Sequence, residues 1–304
     1  MDCVLCIDEM SIKTHLYYNL SKDYIVGFNN FYDQKSYQPA KHVLCFILRG
    51  LNYNWKQPIA YYFIRNTCTN FFSFDSKMNV PPERPYFFVN QQKIFYVFDA
   101  PHLLKSTRNN FFKYNLKFLN CITDKKFLDN FYTCDQSLYL LAPKLTDAHI
   151  NPGPFQKMRV QYASQVFCGT VASGMRCCVE GGILPLDSQF TIQFIEDMDK
   201  LFDILNSKPI VICKEFNQPY KNTLSQRGHL LYMLRWQITI NSLFQLWDDI
   251  KKPEFSLSTY RLNQDCMENL SGNFCNQCVL KSGHTDLPTL KWWTDSNHLP
   301  ILTM

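Results

Sequence analysis

Hydrophobic periodicity changes once along this chain, near Asn109, and the change separates a β-rich start from a helical middle. Residues 3–65 alternate apolar with polar and are rich in β-branched and aromatic side chains, so they read as strands. The segments are CVLCID, with Asp8 at its end, THLYYNL through DYIVGF, then HVLCFILRGL and IAYYFI. Residues 66–92 are polar, and Pro81, Pro82 and Pro85 mark a loop. KIFYVFD, Lys93 to Asp99, reads as the next strand.

Beyond Asn109 the apolar residues recur at helical spacing. Phe111 to Phe118 and Asp124 to Tyr132 read as helices, and after the Asn151-Pro152-Gly153-Pro154 breaker Phe155 to Cys178 reads as one long helix. In SQFTIQFIEDMDKLFDILNS, Phe190, Phe194, Ile195, Met198, Leu201, Phe202 and Leu205 form one apolar face. Ser188 is its expected N-cap and Pro209 its stop. Gly228 to Ile250 gives another helix, with Leu231, Leu234, Ile238, Leu246 and Trp247 as its apolar residues. Neither an internal repeat nor a low-complexity tract is visible.

Composition sets outer bounds. The 304 residues are enough to bury a large core, and 46% hydrophobic content with 15% aromatic excludes disorder as the main state. A net charge of +5 is compatible with nucleic acid but carries little weight alone. No apolar run reaches the length of a membrane span, and the N-terminus lacks the pattern of a secretory signal. Thirteen cysteines without a framework fit reduced thiols, hence nucleus or cytoplasm rather than secretion. Val4, Leu5 and Ile7 read as a buried strand only a few residues from Met1, so the chain is expected to have lost an upstream part.

Two distant stretches carry chemistry. FDAPHLLKSTRNN, Phe98 to Asn110, runs from a strand through a Pro turn into a basic helix start with His102, Lys105 and Arg108. QDCMEN, Gln264 to Asn269, sets Asp265 and Glu268 three apart, on one face of a helix. Carboxylates at a strand end and on a late helix, with bases between, point to divalent metal and nucleic-acid phosphate. With CIDEMSIK, WKQPIAYYF, PERPYFFVNQQKIFYVFD and APKLTDAHI, these segments closely resemble the P-element-type transposases and their THAP-domain relatives. The resemblance runs with gaps from about Cys6 to Pro288.

That resemblance implies an α/β RNase H-like fold, here incomplete, interrupted by an all-α GTP-binding insertion domain. The expected division is 1–112 and 251–290 for the RNase H-like parts, 113–250 for the insertion and 291–304 for a tail. It also implies GTP-dependent, metal-dependent cleavage and strand transfer on the DNA of transposon ends, a homo-oligomer, and an upstream zinc-coordinating THAP module. Three carboxylates would hold two Mg²⁺ ions. The first maps onto Asp8 in CIDEM and the third onto Glu268 in QDCMEN. The family's second Asp ends a strand in a Cys-Asp-Gln-Gly-Ser-Asn-like motif, and its position falls on Asn66, where the preceding helix and most of the strand are missing. An amide offers one carbonyl oxygen and no charge, so it does not replace a carboxylate at Mg²⁺. Asp75 lies too far into the next helix and Asp99 belongs to the PHLLK motif. Asn269 to Asn273 also erodes the helix that carries Glu268. The expected outcome is a core that has lost cutting activity; the alternative is a non-catalytic remnant that binds guanine nucleotide, DNA or protein.

The sequence holds no G-x-x-x-x-G-K-[ST] loop. The family's GTP contacts map instead onto Lys144, Arg159, Val160, Phe202 and Asp203, with Asp265 a weaker match. Phe stacks on a purine, Asp accepts from guanine N–H groups, and Lys and Arg pair with phosphate. The bland alternative is a core Phe202 beside solvated Asp203 and Lys144. Cys275 and Cys278, with His284 and Cys266, have zinc-ligand types, although no second matching pair accompanies them. Cys3 and Cys6 would face opposite sides of a strand and share no metal.

Overall fold

The computed structural model describes residues 2–20, 23–30, 35–51, 53–66, 81–118, 121–138, 140–207, 231–251 and 257–264. The chain divides into two compact units, residues 1–80 with 261–304 and residues 81–260.

The first unit is built on an antiparallel sheet in the order β1 (Cys3–Ser11), β6 (His42–Gly50), β7 (Lys56–Ile64). The central strand is buried at Val43, Leu44, Cys45 and Ile47, as its continuous apolar run requires. Pro58 sits in the edge strand β7, opposite Ile47, where the register shifts by a bulge. Proline, lacking an N–H, is tolerated at such an edge. Between β1 and β6 the chain makes two hairpins, β2 (Tyr17–Asn19) with β3 (Tyr24–Val26) and β4 (Phe28–Asn29) with β5 (Ser36–Pro39). Val26 and Ala40 from these hairpins join Cys6, Val43, Cys45, Ile47 and Phe63 in one core. The strand expected to end at Asp8 continues to Ser11, so Asp8 is an interior strand residue.

The second unit opens with a hairpin that the sequence hides. The expected loop over 66–92 contains β8 (Tyr86–Val89), paired with β9 (Gln92–Phe95). Its two-residue turn, Asn90 and Gln91, has positive φ at both positions, the hand that matches strand twist. KIFYVFD therefore stops being a strand at Phe95 rather than Asp99. Asp99 instead caps α1 (Ala100–Lys113), accepting from the His102 N–H, with Pro101 in the first turn. The helix expected over Phe111–Phe118 is thus the end of an earlier one. Tyr114 turns extended, and β10 (Leu116–Phe118) pairs with β11 (Cys121–Thr123).

Next comes α2 (Lys125–Leu138), followed by the short α3 (Asp147–Ile150). The single helix expected over Phe155–Cys178 is three: α4 (Pro154–Met158), α5 (Val160–Val166) and α6 (Gly169–Glu180). Arg159 and Cys168 take extended dihedrals at the breaks. The second break has a tertiary cause: the Asp199 carboxylate accepts the Gly169 N–H at 2.9 Å, a cap from another helix. That helix, α7 (Gln189–Leu205), buries Phe194, Ile195, Met198 and Leu205 as its periodicity predicts. Phe190 stays exposed, and Ser188 holds the expected N-cap position without a side-chain cap bond: its hydroxyl donates to the Pro185 carbonyl. The last described helix of this unit, α8 (Leu231–Ile250), buries Trp236 and Ile238, whereas Leu234 and Trp247 are exposed. Phe111, Phe167 and Phe194 meet at centroid distances of 5.5–6.1 Å in the core.

Candidate functional site

Asp8 faces the core side of the sheet. Side chains alternate along a strand, so Asp8 shares a face with Val4, Cys6 and Met10, all of which pack on the sheet's core. Its cross-strand partner is Cys45, buried in the central strand. Burial, helped by the Asp8 charge, pushes the Cys45 thiol up to about 12. The Asp8 carboxylate is half-buried and accepts the Glu9 N–H at 2.8 Å. A carboxylate in this position, with core behind it, is held in place by its strand neighbours rather than left to sample solvent.

The chain returns to this strand from 257 residues away. The Gln264 side-chain amide donates to the Ile7 carbonyl at 2.7 Å. Asn263, itself buried, presents its carbonyl to the Cys6 thiol and its amide oxygen to Arg49. The start of QDCMEN therefore lies on the strand residue that precedes Asp8. Asp265 and Glu268 themselves lie outside the described residues, as do Cys266, Cys275, Cys278 and His284 of the zinc alternative.

Asn66 is exposed, two residues past the end of β7. In the order β1-β6-β7 that strand lies on the far edge from Asp8, two strand spacings or roughly 10 Å away across the sheet. Among the described residues β1 pairs with β6 alone, and no group of three His, Cys, Asp or Glu side chains could hold a metal. Of the residues matched to the metal centre, Asp8 is the one carboxylate among the described residues. Asp99 is committed elsewhere, to the cap of α1 and to His102 Nδ1 at 2.5 Å.

In the second unit, the residues matched to guanine nucleotide sit at helix ends. Arg159 is the junction between α4 and α5, and Val160 opens α5. Lys144 lies just before α3, and α3 is clamped to α5. His149 Nδ1 accepts the Thr146 N–H at 3.1 Å, which leaves Nε2 to donate to Gln165 Oε1 at 2.6 Å. Its ring also meets Tyr162 at 4.6 Å. Lys144, Arg159 and Asp203 are exposed, and Phe202 is half-buried against the core at the end of α7. Lys144 and Arg159 present cations and Asp203 a carboxylate to solvent, groups of the types that pair with phosphate and accept from N–H donors.

Arg108 holds the end of α4 from inside the unit. It is fully buried, and its Nη2 donates to the Lys157 carbonyl at 2.6 Å and to Asn109 at 2.8 Å, fixing the end of α4 just before Arg159. Its basic helix start was legible in PHLLKSTRNN; its inward direction was not.

A family model described as "TNP-like, RNase H N-terminal domain" matches residues 1–72, and one described as "TNP-like, GTP-binding insertion domain" matches residues 101–219. The chain is 27% identical to the Transposable element P transposase of Drosophila melanogaster over 342 residues, covering 94% of this chain. It spans 43% of that relative's length. The aligned length exceeds the 304 residues present here, so the relative holds segments that this chain lacks. A solved Drosophila P element transposase strand transfer complex superposes with a TM-score of 0.83 at 23% identity, covering 98% of this chain and 78% of that one.

Proposed function

This chain belongs to the P-element-type transposase family, and on that premise we propose that it is a transposase core that binds DNA and guanine nucleotide but does not cut. Its fold is RNase H-like, interrupted by a helical GTP-binding insertion domain. In this reading Asp8 and Glu268 are the surviving ligands of a two-Mg²⁺ centre. The place of the second Asp falls to Asn66, and the acting location is the nucleus.

One observation carries the loss of cutting. Asp8 stands on a strand whose outer side has no partner strand among the described residues, and Asn66 follows the strand at the opposite edge of the sheet. Two divalent ions about 4 Å apart repel by about 16 kcal/mol at an effective dielectric of 20, so they need carboxylates on both sides. The aligned relative's extra length is consistent with a deletion between IAYYFI and NFFSF. Loss of this strand would remove the ligand and also leave β1 as an edge.

The test compares this chain, its Glu268→Ala variant and a version with the family's helix–strand segment and Asp restored. Each is incubated with DNA carrying the element's ends and Mg²⁺ or Mn²⁺. Cleavage only by the restored protein is the expected result. Cleavage by the unaltered chain that vanishes in Glu268→Ala would overturn the reading.

A further inference from the structure

The two hairpins between β1 and β6 turn an unusual set of side chains outward. Among the described residues of 12–41, four tyrosines, three lysines and a histidine are exposed against one aspartate. On β2–β3, Tyr18 and Ile25 are directly opposed on one face and are 50% and 48% exposed. The other face turns Asn19 and Val26 inward, and Val26 packs with Cys6 and Cys45. On β5, Tyr37 is 92% exposed with its ring edge-on to Phe28 at 5.9 Å. The Asp23 carboxylate accepts the Tyr18 hydroxyl across the turn.

We infer that this outer hairpin face is a platform for an unpaired nucleic-acid strand. The inference rests on the DNA-binding part of the proposed function and adds the surface and the form of DNA. Exposed aromatic rings stack on unpaired bases whatever their sequence, and cations beside them neutralise the backbone. Lys13, Lys35 and Lys41, on the same stretch of chain, are all exposed. Protein-docking faces instead lose lysine from their centre. A second copy of this chain would bring the same lysines against one another, a like-charge contact.

The experiment uses the full chain and fluorescence anisotropy with a mixed-sequence single-stranded oligonucleotide and its duplex. Tyr18→Ala and Tyr37→Ala each weaken single-strand binding by about 5- to 150-fold, the range of one lost stacking contact. Tyr18→Phe, which keeps the ring, binds as the parent does. Lys35→Ala lowers the salt slope for the single strand by about 0.7, one phosphate contact. Unchanged affinity in both tyrosine variants overturns the platform, and so does a parent chain that binds no single strand. Loss of self-association in sedimentation without a change in DNA affinity also overturns it, and makes the face a protein interface. GTP titration of the same proteins reads the insertion domain separately, so failure of the platform leaves that part of the proposed function standing.

Discussion

The Gln264 side chain donates a 2.7 Å hydrogen bond to the backbone carbonyl of Ile7, closing 257 positions of sequence onto the first strand. Beside it, Asn263 is 2% exposed and receives Arg49 Nη1 at 3.5 Å and the Cys6 thiol at 4.0 Å. Three contacts from two consecutive residues make a clasp. It joins the segment leading to the acidic pair of QDCMEN to the strand that carries Asp8.

The clasp predicts unequal costs. Asn263→Ala removes an acceptor from a buried guanidinium and should destabilise by about 1–3 kcal/mol. Gln264→Ala removes one half-exposed hydrogen bond and should cost about 1 kcal/mol. Urea unfolding of the two variants measures both. Equal midpoints for parent and Asn263→Ala would show that this segment contributes nothing to the first unit.

Gly174 predicts a packing defect. A Cβ there would lie 2.7 Å from Phe131 Cζ and 3.3 Å from Leu141 Cβ. Phe131 is fully buried and cannot step aside. Ala gains about 1 kcal/mol of helix propensity over Gly, while overpacking costs about 1–3 kcal/mol. The second effect wins, so Gly174→Ala should lower the thermal midpoint. A Gly174→Ala, Phe131→Leu double variant should recover part of the loss, which a calorimetric comparison of the three proteins would reveal.

These residues also mark how far the sequence could be read. The apolar face of α7 was legible because Phe194, Ile195 and Met198 repeat at the helical period and nothing distant competes. The face of α8 was not. It buries Thr239 and Ser242, because Thr239 accepts the Phe98 N–H and Ser242 donates to the Pro85 and Tyr96 carbonyls. Polar residues that satisfy a neighbouring hairpin are invisible to an apolar pattern, and Leu234 and Trp247 are left exposed. The break before α6 depends on Asp199, 30 positions away, so no local propensity announces it. Asp8 was found from its motif. Its mid-strand position on the core face required the pairing with Cys45.

Cys45 predicts an alkaline effect. Its thiol has a reference value of 9.0 and is raised to about 12 in the fold, chiefly by burial and then by Asp8. The folded chain holds this proton more tightly than the unfolded one. The contribution is therefore fully present below about pH 9 and is lost as pH rises toward about 12. Cys45→Ala should flatten that fall relative to the parent. Thiol labelling at pH 8 followed by peptide mapping should modify the exposed Cys3 and Cys177 and spare Cys45.

The guanine reading predicts that two kinds of substitution separate affinity from selectivity. Arg159 stands at the α4–α5 junction, exposed, with its backbone held through the Gln156 carbonyl and the neighbouring Arg108–Lys157 bond. As a phosphate partner it contributes charge without reading the base, so Arg159→Ala should weaken GTP and ATP by similar factors, each about 10-fold. Asp203 is exposed at the end of α7, beside the half-buried Phe202. A carboxylate accepts from both N–H groups on guanine's edge, whereas adenine presents an acceptor at the matching ring nitrogen. Asp203→Asn should therefore bring GTP affinity down toward that of ATP, with a loss of about 10-fold or more, while ATP binding changes little. Equilibrium titration of both nucleotides against the parent and the two variants decides it. A parent that binds GTP and ATP equally removes the selectivity, and an Asp203→Asn variant that keeps a GTP preference moves base recognition away from α7.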